Sequence, residues 1–235
     1  IQAVREILKG NFKESLKDFK QLMQDLAMEM KFEEAQKIKE KIASFNGHVM
    51  INRFDENESL VSLHPISTEQ SFYPKFQTVS GISHIQAVAV KAGIIRTEKT
   101  FEGILFKGVG KDYQWSQLEE YLTQGRLPQV NENLTNEVML SKYLAQRLEL
   151  QLCDTFSTYF MKENTNQMPN LRVFKLVGIY DSGFQEFDSN FVIGDLRHIQ
   201  QINKWKPTEV GAFEVFIKDF NQIETAGQAI YKEIP

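Results

Sequence analysis

The spacing of apolar residues changes near residue 46 of this 235-residue chain. Over residues 12–30 and again over 32–42, apolar residues recur every three or four positions among lysines and acidic residues, the pattern of amphipathic helices. From Asn46 onward, short stretches rich in β-branched and aromatic residues alternate with polar turns, which is typical of strands. The pattern therefore predicts an α+β fold in which an antiparallel α-helical hairpin, residues 1–42, precedes a strand-rich body.

The body contains both strand and helix signals. Strands are predicted in HVMIN, IQAVAVKAGIIR, TFEGILFKGVG and EVGAFEVFIKD, and TFSTYFM and LRVFKLVGIYD are predicted to pair as a long hairpin around the polar loop KENTNQMPN. Helices are predicted in ISTEQSFYPKFQTV with a cap at Ser67 or Thr68, in WSQLEEYLTQG ended by Gly125, in LSKYLAQRLEL capped by Ser141, and in NQIETAGQAIYKEI.

Composition narrows the function classes. The formal net charge of −4 and the pI near 5.7 argue against a surface that coats nucleic-acid phosphates, so we expect no nucleic-acid partner. No apolar run reaches the roughly 18 residues of a membrane span, and the start IQAVREILKG lacks a signal-peptide core, so we expect a soluble chain. Cys153 is the only cysteine, which excludes an internal disulfide.

No residue pattern predicts catalysis, a metal or a cofactor. The acidic cluster in YDSGFQEFDS could bind a cation or act in acid–base chemistry, but we favour a structural turn. The glycines of GILFKGVG lack the Lys-Ser or Lys-Thr pair of a phosphate loop, and no G-x-S-x-G elbow is present. The histidines show no paired spacing that would predict zinc: His48, His64, His84 and His198.

The N-terminal segment resembles a known docking motif. LMQDLAMEMKFEEAQKIKEKI resembles the UVR motif of the bacterial excision nuclease subunits, and VREILKGNFKESLKDF resembles the sequence that leads into this motif in UvrC. The resemblance covers residues 1–42 and implies a cytoplasmic parent protein and a helical hairpin that docks on UvrB. A generic charged hairpin is the alternative. The residues expected to contact UvrB are Leu26, Met30, Phe32, Ala35 and Ile38.

The body resembles a different family. GILFKGVGKDY, GRLP, EVMLSKYLAQRLELQLCDTF and VFKLVGIYDSGFQEFDSNFVIGDLRHIQQI follow one another as in permeases of the lipoprotein-releasing (Lol) ABC transporter family. The resemblance covers residues 43–235 and implies a MacB-like periplasmic core. Its βαβ-containing Porter-like subdomain would comprise 43–110 and 190–235, interrupted by a Sabre-like subdomain over 111–189. The family usually has glycine at the positions of Glu149 and Cys153.

This resemblance implies a non-catalytic domain at the periplasmic face of the inner membrane. The expected partners are a lipoprotein substrate or a periplasmic lipoprotein carrier, with an ABC ATPase and a second permease in the intact transporter. The whole chain would then be a fusion of a UVR hairpin with a permease domain. The residues expected to contact the lipoprotein or the carrier flank the hairpin loop or follow it: Tyr159, Phe160, Met161, Met168, Pro169, Leu171, Phe184 and Phe187.

Three alternatives remain open from the sequence. The chain could be a DNA-repair scaffold that docks on UvrB through its first 42 residues. The body could instead be an efflux permease domain of the MacB kind. A permease domain of the FtsX kind is the least favoured, because that family normally lacks the succession of GILFKGV, GRLP and LAQRLEL.

Overall fold

The computed structural model of the protein describes residues 42–43, 45–53, 59–162 and 167–234. The predicted helical hairpin therefore lies outside the described residues except at its last position, and so do its contact residues Leu26, Met30, Phe32, Ala35 and Ile38. In the part that is described, no helix combines the length and the apolar character needed to cross a membrane.

The described residues contain both strands and helices, which confirms the predicted mixture. The strands are β1 (Val49–Ile51), β2 (Ile66–Ser67), β3 (Ile82–Arg96), β4 (Phe101–Val109), β5 (Leu122–Gly125), β6 (Glu137–Ser141), β7 (Thr155–Phe160), β8 (Asn170–Tyr180), β9 (Phe191–Asp195), β10 (Glu209–Val210) and β11 (Ala212–Ile217). The α-helices are α1 (Ser116–Glu119), α2 (Lys142–Arg147), α3 (Gln185–Asp188), α4 (Arg197–Asn203) and α5 (Ile223–Glu233). Residues 42–43 and 45–46 are also helical.

Six strands of the described part close into a ring. The main sheet runs β1–β11–β3–β4–β9–β6–β8–β5, and β7 joins it by pairing with both β3 and β8. The pairs β3–β4, β4–β9, β9–β6, β6–β8, β8–β7 and β7–β3 therefore form a small closed barrel. The long strand β3 makes closure possible, because the same edge pairs with β11 near its start and with β7 at its end. A barrel of this size is filled by side chains.

Successive residues on the ring strands enter two different apolar clusters. On β4, Ile104 and Phe106 belong to one apolar cluster, which we call the inner core, whereas Leu105 on the opposite face belongs to a second cluster, the outer core. This alternation is the period-2 geometry of a strand. The inner core fills the inward side of the ring strands and continues past the ring to β1, β11 and α5. The inner core receives side chains from all six ring strands, so burial of apolar surface inside the ring stabilises its closure.

Most of the predicted elements are confirmed. The predicted long hairpin is formed by β7 and β8, which pair antiparallel from Thr155 opposite Lys175 to Phe160 opposite Asn170. The predicted cap of α2 is also present, since the hydroxyl of Ser141 accepts a hydrogen bond from the backbone N–H of Leu144 at 3.0 Å. The subdomain division stays a prediction. Two ring pairs, β6–β9 and β3–β7, join strands from the two predicted subdomains.

The predicted helix over ISTEQSFYPKFQTV is wrong. Ile66 and Ser67 form β2, which pairs with β10, and turns and bends follow. The hydroxyl of Ser67 accepts the N–H of Glu69 at 3.1 Å, a local bond that competes with helix formation. Phe72 and Phe76 are instead held in the inner core, with their rings 5.4 Å apart. The first predicted strand–helix–strand unit therefore lacks its helix.

The prediction that Gly125 ends a helix is also wrong. Helix α1 ends at Glu119, and Gly125 is the last residue of strand β5, opposite Gly178 of β8. Gly125 has a φ of +78°, and a Cβ there would lie 2.2 Å from the carbonyl oxygen of Val177. The glycine is therefore required by close strand contact and by its left-handed backbone, not by a helix terminus.

The two positions at which the permease family usually has glycine adopt a glycine-like backbone. Glu149 has a φ of +55° and Cys153 a φ of +73°. Side chains are disfavoured in this left-handed region, at a cost of about 1 kcal/mol. The backbone of the LELQLCD turn thus keeps the geometry that glycine favours, although the residues differ.

His198 of α4 packs against the inner core in its neutral form. Its ring lies edge-on to Phe174 at 4.9 Å, and Nε2 lies 2.9 Å from the carbonyl oxygen of Thr135. A carbonyl can only accept, so Nε2 carries the proton and Nδ1 does not. Nδ1 is buried and has no hydrogen-bond partner among the described residues. Burial lowers the pKa of His198 below its ordinary value of 6.5.

Acidification is therefore expected to destabilise the protein through His198. In the unfolded chain His198 gains its proton near pH 6.5, whereas in the folded protein it does so only at lower pH. The contribution of neutral His198 to the free energy of unfolding is therefore fully present above about pH 6.5 and is lost as the pH falls below it. The slope approaches about 1.4 kcal/mol per pH unit. Urea unfolding at about pH 7.5 and 5.5 should show a smaller loss in His198→Gln, whose amide keeps a donor for Thr135. An equal loss in both proteins would contradict the assignment.

Candidate contact surface

The β7–β8 hairpin turns one of its faces outward. Because side chains alternate along a strand, Phe156, Phe160 and Phe174 enter the inner core while their neighbours face away from it. On the outward side, Tyr159 stands opposite Leu171, and the next outward pair brings Val173 opposite Ser157. Leu171 is 47% exposed and Val173 is 49% exposed. The hairpin thus carries adjacent exposed aliphatic side chains on a regular sheet.

The same outward rows continue across β3 and β4. Ile94 of β3 stands opposite Tyr159 of β7. In the next outward row, Arg96 of β3 stands opposite Ser157 on one side and opposite Phe101 of β4 on the other. Phe101 is 56% exposed. We call the apolar part of these rows the outer face, and its residues are Ile94, Phe101, Tyr159, Leu171 and Val173.

The outer face combines apolar surface with positive charge. The exposed Arg96 stands between Phe101 and Ser157, and the exposed Lys175 extends the hairpin part of the face opposite Thr155. Leu171 and Val173 are neighbouring exposed apolar residues on one strand, and clustered exposed apolar groups are a feature of contact sites. The arrangement can bind an apolar partner and carries no group that suggests chemistry.

The structure brings together only some of the predicted contact residues. Tyr159 and Leu171 are neighbours on the outer face, and Met168, 84% exposed, lies with the partly buried Pro169 before the start of β8. Met161 is partly buried just after β7. The remaining predicted residues are not on this face and are described next.

Phe160, Phe184 and Phe187 lie elsewhere. Phe160 is fully buried in the inner core, edge-on to Phe106 at 5.8 Å. Phe187 is buried in the outer core, and the partly buried Phe184 packs against the same cluster. Proximity in sequence to the hairpin loop therefore identified part of the surface but not its orientation.

Three residues of the outer face are absent from the predicted contact set: Ile94, Phe101 and Val173. Ile94 on β3 and Phe101 on β4 each lie more than fifty residues before the β7–β8 hairpin. Their place on the face follows from the β3–β7 and β3–β4 registers, which no local pattern encodes. The one local signal is Phe101 itself, an aromatic residue at the start of a strand and two positions before Gly103.

The stretch YDSGFQEFDS, for which we favour a structural turn, contains a bend at Gly183 followed by α3. The Asp188 carboxylate accepts the hydroxyl of Ser182 at 2.8 Å and the backbone N–H of Ser182 at 3.1 Å. Burial raises the pKa of Asp188, and the bonds from Ser182 oppose that shift. In the ranges that the structure describes, no group of three or more His, Cys, Asp or Glu side chains is arranged to hold a metal ion.

Sequence comparison finds UvrC proteins. UvrABC system protein C of Flavobacterium johnsoniae is 46% identical over 91 residues, which cover 37% of this chain and 15% of that protein. UvrABC system protein C of Bacteroides fragilis is 63% identical over 43 residues, 18% of this chain and 7% of that protein. The chain thus spans only a small part of the length of these curated relatives. No protein-family model matches the chain.

Structure comparison finds transporter domains. The periplasmic region of MacB from Actinobacillus actinomycetemcomitans has a TM-score of 0.48 and 15% identity, and the match covers 78% of this chain and 81% of that one. The extracellular domain of the noncanonic ABC-type transporter YknZ from Gram-positive bacteria has a TM-score of 0.44 and 15% identity, covering 64% and 73%.

Proposed function

We propose that the body of the chain, residues 43–235, is the extracytoplasmic domain of an ABC transporter permease that handles lipoproteins. The observation that carries this proposal is the outer face, a set of exposed and partly exposed apolar side chains in two neighbouring rows on four strands of a closed ring. The succession of four sequence stretches typical of lipoprotein-releasing permeases supports the same class. Under this proposal the outer face contacts the lipoprotein.

The energetics of the outer face fit a binding role. Phe101, Leu171 and Val173 are each about half exposed, so a partner that covers them removes substantial apolar area from water. At about 25 cal/mol per Å², covering the exposed part of each side chain contributes on the order of 1 kcal/mol. Such contacts sit on a rigid scaffold, because the opposite side of the same strands fills the inner core. Little ordering entropy is then lost on binding.

In the proposed mechanism the domain binds and moves but performs no chemistry. ATP hydrolysis in a partner ATPase shifts this domain relative to a second permease at the periplasmic face of the inner membrane. The lipoprotein is extracted from the membrane while the outer face covers apolar surface that would otherwise meet water. The lipoprotein then passes to a periplasmic carrier.

A second candidate function concerns residues 1–42. The identity with UvrABC system protein C favours a segment that docks on UvrB, with Leu26, Met30, Phe32, Ala35 and Ile38 as the contact residues. The 91-residue match is longer than residues 1–42, so it also includes part of the body. The two proposals involve different parts of the chain, and a fusion would contain both. Co-purification of UvrB with the full chain distinguishes this candidate from a hairpin without that partner.

Binding of a fatty-acylated lipoprotein peptide to the full chain tests the permease proposal. We expect the acylated peptide to bind more tightly than its unacylated form, and Leu171→Asp to weaken that binding about tenfold or more, because a charge replaces an exposed apolar contact of the face next to Tyr159. Fluorescence anisotropy measures both affinities. Tyr231→Asp, which places the same charge at an exposed apolar residue on α5, away from the outer face, is the control and should bind as the parent does.

Two results would contradict the proposal. The first is equal binding of the acylated and unacylated peptides. The second is an equal loss in Leu171→Asp and Tyr231→Asp, which would show a nonspecific effect of charge. Circular dichroism of each variant verifies that its fold is intact.

A further inference from the structure

Phe45, close to the start of the described residues, packs in a cage of aromatic side chains. Residues 45–46 are helical, and the side chain of Phe45 is buried. Its ring lies 4.9 Å from that of Phe187, stacked, and 5.1 Å from that of Tyr121. The ring of Tyr180 is 6.0 Å away. These partners come from the end of α1, from β8 and from α3, so one side chain contacts three separate elements.

A buried ion pair holds the backbone at the same point. Lys107 of β4 donates from Nζ to the carbonyl oxygen of Phe45, and the same Nζ lies 2.6 Å from Oε1 of Glu214 on β11. The side chains of Lys107 and Glu214 are 3% and 1% exposed. A cation on the last carbonyl of a helical turn satisfies an otherwise unpaired acceptor and neutralises its partial charge.

The ion pair is completed by an amide on β3. Nε2 of Gln86 donates to Oε2 of Glu214 at 2.8 Å, and Oε1 of Gln86 accepts the backbone N–H of Gln114 at 2.9 Å. Both oxygens of the Glu214 carboxylate are therefore bonded, and the network joins β3, β4 and β11. A fully bonded buried network fixes the relative positions of its members.

The backbone after Phe45 lies directly on β11. Gly47 has a φ of +72°, and a Cβ at this position would lie 2.9 Å from Cβ of Glu214. The N–H of His48 then donates to the carbonyl oxygen of Val215 at 2.9 Å, immediately before β1 begins to pair with β11. Only a glycine permits this close approach in that conformation.

We infer that Phe45, Gly47, Gln86, Lys107 and Glu214 form a rigid anchor that couples the chain before residue 42 to the body. Phe45 attaches this part of the chain to α3, β8 and the end of α1, which lie in the predicted Sabre-like subdomain. Lys107 and Glu214 attach it to β4 and β11, which lie in the predicted Porter-like subdomain. A displacement of the chain before residue 42 therefore moves both predicted subdomains together. The anchor stands on its own contacts; only its use in transport rests on the proposed function.

Hydrogen–deuterium exchange of the full chain tests the anchor. In the double variant Lys107→Met/Glu214→Leu, apolar side chains of similar volume replace the ion pair, so the fold is kept while the bond to Phe45 is lost. We expect the amides of residues 45–51 to exchange about tenfold faster or more, with no change in residues 138–140 and 191–195 of β6 and β9. Unchanged exchange over residues 45–51 would overturn the role of the ion pair.

A second variant tests the aromatic cage, with a matched control. Phe45→Ala should accelerate exchange both in residues 45–51 and in residues 185–190, since the same ring contacts Phe187. Phe156→Ala removes a ring that is equally buried but belongs to the inner core, and its effect should concentrate in β7 and β8. If Phe45→Ala accelerated all amides by one factor, or matched the pattern of Phe156→Ala, coupling through Phe45 would be refuted. Neither measurement depends on lipoprotein binding.

Discussion

Phe174→Ala is expected to lower the free energy of unfolding by about 3–5 kcal/mol, the usual cost of truncating a buried phenylalanine. Phe174 is buried at the centre of the ring, with its ring 5.0 Å from Phe106 and 4.9 Å from His198. Phe156 and Phe160 also contact it, at 6.3 and 6.5 Å. Removing it opens a cavity bordered by several rings. These rings belong to β4, β7 and α4, three separate elements, so they cannot all move inward to fill it.

The neighbouring residue supplies the matched control. Val173 precedes Phe174 on β8 but faces outward and is half exposed, so Val173→Ala should change the free energy of unfolding by less than about 0.5 kcal/mol. Urea denaturation followed by circular dichroism measures both variants. A loss below about 1 kcal/mol for Phe174→Ala would show that the inner core does not stabilise the ring as described.

The contrast between Val173 and Phe174 shows what the sequence predicts well. Alternation in LRVFKLVGIYD and TFSTYFM predicts two paired strands, and the pairing of β7 with β8 confirms this. Alternation also requires that one of each pair of neighbours be buried. It does not state which face is buried, because that depends on strands far away in the chain.

Ring closure is the feature that the sequence could not supply. β7 pairs with β3 over Ile94–Arg96, a contact across more than fifty residues of chain. The space for the Phe160 ring also depends on β3, because a Cβ on Gly93 of β3 would lie 2.9 Å from that ring. The predicted surface role of Phe160 used only its closeness to the hairpin loop. Nonlocal pairing placed its side chain inside.

Local signals failed where tertiary contacts overrode them. Serine is a residue type that often caps helices, but Ser67 and Ile66 form β2 and pair with β10 instead. Gly125 resembles a helix terminator, yet its φ serves close contact between β5 and β8. Glu149 and Cys153 show a different case. Their residue types leave the turn geometry open, and the structure gives both a left-handed backbone at positions where the resembled family usually has glycine.

Lys107→Met is expected to destabilise the folded protein by about 3–5 kcal/mol, since it leaves the buried carboxylate of Glu214 without its cation. It also removes the donor to the carbonyl oxygen of Phe45, so two buried acceptors lose the same partner. Gln86 retains one bond to Glu214 but carries no charge to offset it. Folded domains are stable by only about 5–15 kcal/mol, so this loss is a large fraction of the total.

The double variant separates two contributions to the lost stability: the cost of an unpaired buried charge and the cost of lost packing. Adding Glu214→Leu to Lys107→Met should recover most of the lost stability, because apolar residues of similar volume often replace a buried ion pair at little cost. Urea denaturation gives the coupling energy from the two single variants and the double variant. Lys99→Met breaks a pair with Glu149 whose side chains are 73% and 58% exposed, and it should leave stability unchanged. Additive effects at Lys107 and Glu214 would show that the pair is not coupled, and the anchor would lose its electrostatic basis.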